Sequence, residues 1–155
     1  MNLVYLALGT NLGNKPSNLL QAIGWLAEKI GIFSALSSVY KTKPIGFESD
    51  NDFLNMVVGV ETLLTPIEIL SITQSIEKTI GRTQKTGTFY QDRIIDIDLI
   101  AYKDLIIQSE NLQLPHPLFH KRRFVLEPFN EIAPDYVHPV LHKKVKKLLI
   151  ELDKV

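Results

Sequence analysis

Cysteine is absent from the 155 residues of this chain. Disulfide bonds, thiolate zinc sites and a cysteine nucleophile are therefore excluded as a basis for its fold or its chemistry. An excess of either charge is absent as well, because seventeen Lys and Arg residues balance seventeen Asp and Glu residues. We therefore expect no binding to nucleic acid or to an anionic membrane through bulk charge.

Long hydrophobic segments are also missing. The apolar run at residues 3–8 is too short to span a membrane, and no Lys or Arg precedes it as in a signal peptide. We expect a cytoplasmic protein that makes no contact with a membrane. The length suits one domain, and because no linker, repeat or low-complexity tract interrupts the chain, we predict a single domain over residues 1–155.

The hydrophobic pattern predicts the order strand, helix, strand, strand, helix, strand, followed by further short elements. Strands are predicted at residues 3–8, 33–41, 53–64 and 94–102, with helices that begin near Pro16 and at the capping box of residues 65–68. This order is typical of an α+β fold, a ferredoxin-like βαββαβ sandwich with additional C-terminal strands and helices. A small doubly wound parallel sheet is the alternative, but no helical pattern separates the second and third strands.

Two aspartates in the last of these strands carry most of the chemical information. On a strand, Asp96 and Asp98 lie on the same face, about 7 Å apart at their backbones, with Ile95, Ile97 and Leu99 on the opposite face. Neighbouring carboxylates repel each other unless a cation joins them. Oxygen ligands of this kind suit Mg²⁺, which takes one or two carboxylates and completes its shell with phosphate oxygens and water. The alternative is an edge strand whose aspartates face water.

Arginines flank this strand and the segments around it. Arg82 follows the glycine that ends the second helix, Arg93 precedes the aspartates, and Arg122 stands beside an apolar segment. Guanidinium groups bind phosphate in a bidentate manner and stabilise charge during phosphoryl transfer. A solvated surface position is the alternative for each arginine, and we prefer it for Arg123 over Arg122.

The histidines and the first glycine-containing turn give weaker signals. His116 lies between two prolines, and this rigid segment suits a residue that contacts phosphate, whereas we expect the other three histidines to be exposed: His120, His138 and His142. Residues 9–16 connect a strand to a helix but lack the spacing of a phosphate-binding P-loop. We interpret them as a turn and a helix cap.

Several motifs, in one order along the chain, resemble those of the 6-hydroxymethyl-7,8-dihydropterin pyrophosphokinases of folate biosynthesis. A series of motifs is far more specific than any single one. The matching segments are 8–13 (LGTNLG), 40–46 (YKTKPIG), 53–55 (FLN), 74–77 (QSIE), 81–82 (GR), 93–98 (RIIDID), 115–117 (PHP), 122–126 (RRFVL) and 131–134 (EIAP).

The resemblance implies a ferredoxin-like fold and transfer of the β,γ-diphosphoryl group of ATP to the hydroxymethyl oxygen of the pterin, with release of AMP. It implies that Asp96 and Asp98 hold two Mg²⁺ ions and that Arg82 and Arg93 stabilise charge on the transferred group, assisted by Arg122. The other residues implied on the ATP side are Gln74, Glu77, Leu99 and His116. Those implied around the pterin are Thr42, Pro44, Ile45, Gly46, Phe53, Asn55 and Phe124.

Two other functions on the same fold are the alternatives. A ferredoxin-like RNA-binding module needs basic and aromatic residues interleaved on exposed strands, whereas the strand positions here are Ile, Leu, Val and Asp. A ligand-sensing domain without catalysis has no need for the two aspartates together with the three arginines. We therefore expect an enzyme that binds ATP and a pterin, binds no nucleic acid and acts as a monomer.

Overall fold

The computed structural model of the protein describes residues 1–43, 51–81 and 93–154. The strands are β1 (Asn2–Thr10), β2 (Gly31–Leu36), β3 (Tyr40–Thr42), β4 (Phe53–Thr62), β5 (Asp96–Tyr102), β6 (Ile107–Gln108) and β7 (Gln113–Leu114). The helices are α1 (Lys15–Lys29), α2 (Pro66–Ile80), α3 (Arg123–Ile132) and α4 (Val145–Asp153), with a short 3-10 helix at Phe119–Lys121.

Local sequence signals explain where the first two helices begin and end. The Asn14 side chain accepts a hydrogen bond from the Ser17 N–H and caps α1. The predicted capping box is present at the start of α2, where Thr65 and Glu68 each bond the backbone of the other. Gly81 ends α2 with a φ of 131°, a backbone conformation that few residues other than glycine adopt.

The main sheet has five strands in the order β2-β4-β1-β5, and β3 pairs with β4 beyond the end of β2. Every pair in it is antiparallel, so the alternative of a parallel sheet is wrong. The order of strands and helices confirms the predicted ferredoxin-like sandwich. The additional C-terminal elements are also present, since β6 pairs with β7 and two helices follow.

One predicted strand, residues 33–41, forms two strands instead, β2 and β3. The break lies at Ser37, whose hydroxyl accepts a hydrogen bond from the Val57 N–H at 2.9 Å and donates one to the Ser38 carbonyl at 2.8 Å. Serine side chains compete in this way with the regular ladder of main-chain bonds. The interruption lets β3 pair with the first residues of β4, which become part of the candidate site.

Helices cover both faces of the sheet. α1 and α2 pack on one face over apolar strand residues that include Leu6, Leu8, Met56, Val58 and Ile97. α3, α4 and the 3-10 helix pack on part of the other face around a second cluster that includes Tyr5, Val57, Phe119, Phe129 and Leu148. Among the helices of the described ranges, none combines the length and the apolar character needed to cross a membrane.

Candidate active site

The face of the sheet that lies away from α1 and α2 carries a row of polar residues beside α3. Gly9 on β1 is paired with Asn55 on β4 and, on its other side, with Asp96 on β5. Two residues earlier, Ala7 is paired with Asp98. Because directly paired residues of antiparallel strands point to the same face, the amide and both carboxylates share one surface. We call this surface, with Gly9 and Ala7 as its floor, the trough.

The aspartate side of the trough agrees with the predicted strand pattern. Asp96 and Asp98 are half-buried, whereas Ile97 and Leu99 are 4% and 6% exposed on the face covered by α1 and α2. β5 is an edge strand, as the alternative interpretation required, but its two carboxylates lie beside the floor of the trough. No group of three or more potential metal ligands occurs within the described residues. Two carboxylates alone fit Mg²⁺, which retains several positions for phosphate oxygens and water.

The side of the trough formed by β3 and β4 centres on a buried amide. Asn55 is 6% exposed, and its Nδ2 donates a hydrogen bond of 2.6 Å to Thr42 Oγ1. Thr42 is paired with Phe53, which lies half-buried on the same face of β4 as Asn55. The structure thus brings together three of the residues predicted to bind the pterin, and Phe53 is not a fully buried core residue.

One carboxylate from α3 binds strand β3, which carries Thr42, and the residue that precedes the strand by two positions. Glu131, near the end of α3, accepts hydrogen bonds from the Ser38 N–H and hydroxyl and from the Tyr40 hydroxyl, the last at 2.7 Å. The hydrogen bond to Glu131 raises the pKa of Tyr40 to about 12, and the same bond lowers the pKa of Glu131. These contacts fix β3 against α3 and therefore help to position Thr42.

Arg122 and Phe124 lie together at the start of α3. The guanidinium carbon of Arg122 is 5.7 Å from the centre of the Phe124 ring, within the range of a cation–π contact. A residue predicted to bind ATP therefore contacts one predicted to bind the pterin. Arg123 forms ion pairs with Glu127 and Asp153 at the surface, as we expected for the second arginine.

The turn after β1 fixes the backbone at Arg93. The N–H groups of Asn11 and Leu12 donate to the Arg93 carbonyl at 2.9 and 3.2 Å, and the Arg93 N–H donates to Asn11 Oδ1 at 2.5 Å. Asn11 Nδ2 also donates to the Asn51 carbonyl at 3.3 Å. The sequence-based prediction did not include Asn11. The available signal was an asparagine immediately after a strand, a residue type that commonly bonds nearby backbone.

A second buried asparagine supports the same turn. Asn18 Nδ2 donates to the Leu12 carbonyl at 2.8 Å and to Thr10 Oγ1 and the Ile94 carbonyl, both at 3.2 Å. The Thr10 hydroxyl also donates to the Ile94 carbonyl. The approach to β5 is therefore held by side chains from β1 and α1, which the sequence-based prediction also missed.

The residues predicted to lie on the ATP side occupy different environments. Glu77 is 5% exposed, and its Oε2 accepts a hydrogen bond of 2.8 Å from the Ile97 N–H, which joins α2 to β5. Gln74, one turn earlier, is exposed, and the Leu99 side chain belongs to the core between α1, α2 and the sheet. The geometry thus gives Glu77 a structural role that its predicted contact with ATP did not include.

His116 is held by its backbone and by its ring. Its N–H donates to the Ile100 carbonyl at 2.8 Å, and its Nδ1 accepts a hydrogen bond from the Leu118 N–H at 3.2 Å. With Nδ1 as an acceptor, the proton of the neutral imidazole is on Nε2. The ring therefore presents a donor, which suits the predicted contact with phosphate.

The expectation that the other three histidines are exposed is confirmed for His142. It is wrong for His138, which is buried, and for His120, which is half-buried. His138 is 5% exposed and stacks on Phe119, with ring centres 5.1 Å apart. Its Nδ1 accepts hydrogen bonds from the N–H groups of residues 140 and 141. Burial lowers the pKa of His138 to about 4, so the ring is neutral at neutral pH.

Other proteins are similar to this chain in sequence and in fold. A sequence model of the family described as 7,8-dihydro-6-hydroxymethylpterin-pyrophosphokinase (HPPK) matches residues 5–134. The chain belongs to the HPPK family. It is therefore a pyrophosphokinase of folate biosynthesis with ATP as its co-substrate, as the motifs predicted.

Relatives in the HPPK family match nearly the whole chain. The 2-amino-4-hydroxy-6-hydroxymethyldihydropteridine pyrophosphokinase of Porphyromonas gingivalis is 46% identical over 141 residues, which cover 90% of this chain and 95% of the relative. The protein of the same name from Aquifex aeolicus is 40% identical over 147 residues, covering 95% of this chain and 90% of the relative.

Solved structures show the same fold within longer chains. The crystal structure of wild-type HPPK-DHPS from Plasmodium falciparum superimposes with a TM-score of 0.76 and 18% sequence identity, covering 97% of this chain. This chain spans 44% of the length of that solved chain. At such low identity the likeness supports the HPPK fold alone.

Some predicted site residues of this HPPK lie outside the described ranges. Pro44, Ile45 and Gly46 follow β3 in the sequence, and Arg82 follows Gly81, the residue that ends α2. Their roles therefore stay predictions.

Proposed function

We propose that the trough is the place where the β,γ-diphosphoryl group of ATP is transferred to the hydroxymethyl oxygen of 6-hydroxymethyl-7,8-dihydropterin, with release of AMP. The observation that carries this proposal is the pairing of Gly9 with Asn55 on one side and with Asp96 on the other. This pairing supports the proposal because it puts an amide that can bind the ring and a carboxylate that can bind a metal on one surface, with a residue that has no side chain between them.

The pterin binds at the β3–β4 side of the trough. A flat heteroaromatic ring needs an aromatic contact and a group that both donates and accepts hydrogen bonds. Phe53 and Phe124 supply aromatic surface, and the Asn55 amide, oriented by Thr42, supplies the donor and the acceptor. The residues that complete the pterin site in this proposal are Pro44, Ile45 and Gly46.

Asp96 and Asp98 hold Mg²⁺ at the other side of the trough, two ions in this proposal. When bound, Mg²⁺ neutralises phosphate charge and aligns the attacking and leaving oxygens. The contribution of the chain is to fix the carboxylates: both lie on β5, whose backbone is bonded to β1 and, through the Ile97 N–H, to Glu77. The carboxylates therefore need little reorganisation when ATP arrives.

Cationic and donor side chains bind the phosphates. Arg93, Arg122 and Arg82 stabilise the charge that moves from the β-phosphorus to the departing α-phosphate oxygen. Hydrogen bonds to Asn11 position the Arg93 backbone, and Arg122 rests on the Phe124 ring. His116 donates from Nε2 to a phosphate oxygen. Gln74, Glu77 and Leu99 line the nucleotide side in this proposal.

The wider setting proposed is a cytoplasmic monomer of one domain, residues 1–155, that binds neither nucleic acid nor a membrane. The equal numbers of acidic and basic residues argue against binding to nucleic acid or to an anionic membrane through bulk charge. Light scattering coupled to size-exclusion chromatography tests the monomeric state. A molar mass near 17.6 kDa is expected, and twice that mass contradicts a monomer.

One assay tests the reaction and its metal requirement. Purified protein is incubated with ATP, Mg²⁺ and 6-hydroxymethyl-7,8-dihydropterin, and the nucleotide product is identified by chromatography. AMP is expected in the complete mixture and not after omission of the pterin or addition of EDTA. ADP as the product, or no turnover, contradicts the proposed reaction, whereas AMP formation that persists in EDTA contradicts only the role of Mg²⁺.

A further inference from the structure

Gly9 occupies the one position of β1 that is paired with both Asn55 and Asp96. A Cβ atom at this position would lie 3.0 Å from Asn55 Oδ1 and 3.8 Å from Phe53 Cδ1. The first distance is shorter than carbon–oxygen contacts normally are, about 3.3 Å or more. A glycine inside a strand commonly marks the close approach of another group, and here that group is the amide of Asn55.

The backbone conformation gives no other reason for glycine at this position. Gly9 lies in the extended strand β1, and the glycines of the described ranges that have a positive φ are Gly13 and Gly81. An alanine could adopt the backbone of residue 9 without strain. What alanine would change is the space beside Asn55.

The amide of Asn55 is restrained from two sides. Its Oδ1 lies 3.0 Å from the point that a Cβ of residue 9 would occupy, and its Nδ2 donates to Thr42 Oγ1 on β3 at 2.6 Å. A methyl group at residue 9 would require Oδ1 to shift by a few tenths of an ångström. Because the amide is planar, this shift would turn Nδ2 relative to Thr42, and the donor and acceptor positions of the amide that no described residue occupies would change direction.

We propose that Gly9 is a positioning residue for pterin binding, acting through Asn55: the absence of a Cβ allows the amide to keep the one orientation in which it matches the donors and acceptors along the edge of the pterin. This inference rests on the proposed pterin site. According to this inference, Gly9 affects the affinity for the pterin and not the affinity for ATP.

Gly9→Ala tests the inference, with Gly24→Ala as the matched control. Gly24 is exposed in α1, and a Cβ there meets no atom within 4 Å. Binding of 6-hydroxymethyl-7,8-dihydropterin is measured by calorimetry in the presence of Mg²⁺ and α,β-methylene ATP. For Gly9→Ala we expect the Kd of the pterin to rise about tenfold, the effect of losing one or two hydrogen bonds, and the Kd of the ATP analogue to change less than twofold. Gly24→Ala should change neither.

Steady-state kinetics separate the inference from the proposed reaction. Gly9→Ala should raise the KM for the pterin while kcat at saturating pterin stays within about twofold, since the phosphate side is unchanged. A wild-type protein that forms AMP, together with an unchanged pterin KM in Gly9→Ala, overturns the inference alone. A wild-type protein that forms no AMP overturns the proposed reaction.

A spectroscopic readout tests the route through Asn55 without any ligand. In ¹H–¹⁵N spectra, the side-chain amide resonances of Asn55 should move in Gly9→Ala and stay in place in Gly24→Ala. Unmoved Asn55 resonances in Gly9→Ala contradict the inference. Should Gly9→Ala fail to fold, Thr42→Val removes the second restraint on the amide without adding volume to the floor. The same selective loss of pterin affinity is then expected, and equal weakening of pterin and ATP analogue contradicts the inference.

Discussion

The two faces of the main sheet use the same strands for different purposes. Under α1 and α2, the strands contribute closely packed apolar side chains such as Leu6 and Ile97. In the trough, their alternate residues are Asn55, Gly9 and Asp96, an amide and a carboxylate on either side of a residue without a side chain. Because side chains alternate between faces along a strand, the trough residues alternate with core residues that pack under α1 and α2, while the rest of the trough face, including Tyr5 and Val57, packs under α3 and α4. Changes to the core under α1 and α2 should therefore leave the chemistry of the trough largely intact, and changes to the trough residues should leave that core largely intact.

The largest effect is expected from the carboxylates of the trough. Asp96→Asn and Asp98→Asn should each lower kcat by about a thousandfold, because the proposed Mg²⁺ would lose a charged ligand. Both variants should stay folded, because asparagine keeps the size and the polarity of the half-buried side chain, and circular dichroism checks this. Asp104→Asn, at an exposed turn, is the control and should have normal activity. A near-normal rate in either trough variant would refute the metal assignment.

On the face covered by α1 and α2, we expect substitutions to lower stability and to leave activity largely unchanged. Leu6 is completely buried there, and Leu6→Ala should lower the free energy of unfolding by about 2–5 kcal/mol. Chemical denaturation measures this, and kcat/KM of the folded variant should stay within about threefold of the original. Leu20→Ala removes an exposed leucine from α1 and should change stability by no more than about 0.5 kcal/mol. A large loss of activity in folded Leu6→Ala would show that the faces are coupled.

Glu77 is the residue at which a structural and a functional role can be compared. It has a predicted role in ATP binding, and it accepts an observed hydrogen bond from the Ile97 N–H. Glu77→Ala removes the acceptor of a buried N–H and should cost about 1–3 kcal/mol of unfolding free energy even without ATP. Glu77→Gln retains a carbonyl oxygen and should cost less. The opposite result, weaker binding of α,β-methylene ATP with unchanged stability, would assign Glu77 to the nucleotide alone.

The smallest effect is expected at the outer edge of the trough, where Tyr40 donates to Glu131. This bond raises the pKa of Tyr40 to about 12, from about 10 in an unfolded chain. Its contribution to stability should therefore be complete below pH 10 and be lost as the pH rises through about 12. In Glu131→Gln, ultraviolet titration should show the pKa of Tyr40 return toward 10. A pKa that stays near 12 would contradict the assigned cause.

Bonds to Glu131 also lower the pKa of its own carboxyl group, so its contribution is present at neutral pH and is lost as the pH falls through the acidic range. Since β3 carries Thr42, Glu131→Gln should raise the KM for the pterin slightly. Glu110→Gln, at an exposed position, is the control for the loss of one surface charge.

Local patterns predicted most of the fold. The capping box at Thr65, the glycine that ends α2 and the alternation around Asp96 each depend on residues close in sequence, and the structure has all three. The split between β2 and β3 could not be predicted, because it depends on a bond between Ser37 and Val57, which are brought together only by sheet pairing. The burial of His138 likewise depends on stacking against Phe119.

The candidate site shows the same division. Periodicity placed Phe53 with Asn55 and Asp96 with Asp98, but nothing local indicated that Gly9 lies between the two pairs. For Asn11 the local signal, an asparagine after a strand, did not identify its partners, since Arg93 and Asn51 are distant in sequence.

The pairing of β4, β1 and β5 also fixes a length. Adjacent strands lie about 4.8 Å apart, so Asn55 and Asp96, with one strand between them, are held about 10 Å apart at their backbones by main-chain hydrogen bonds. Thermal motion of loops or exchange of outer side chains changes this length little. In an engineered variant that accepts a bulkier alcohol, the additional space would therefore lie along the strands or above the sheet, and the distance between the proposed positions of the pterin ring and the metal would remain the same.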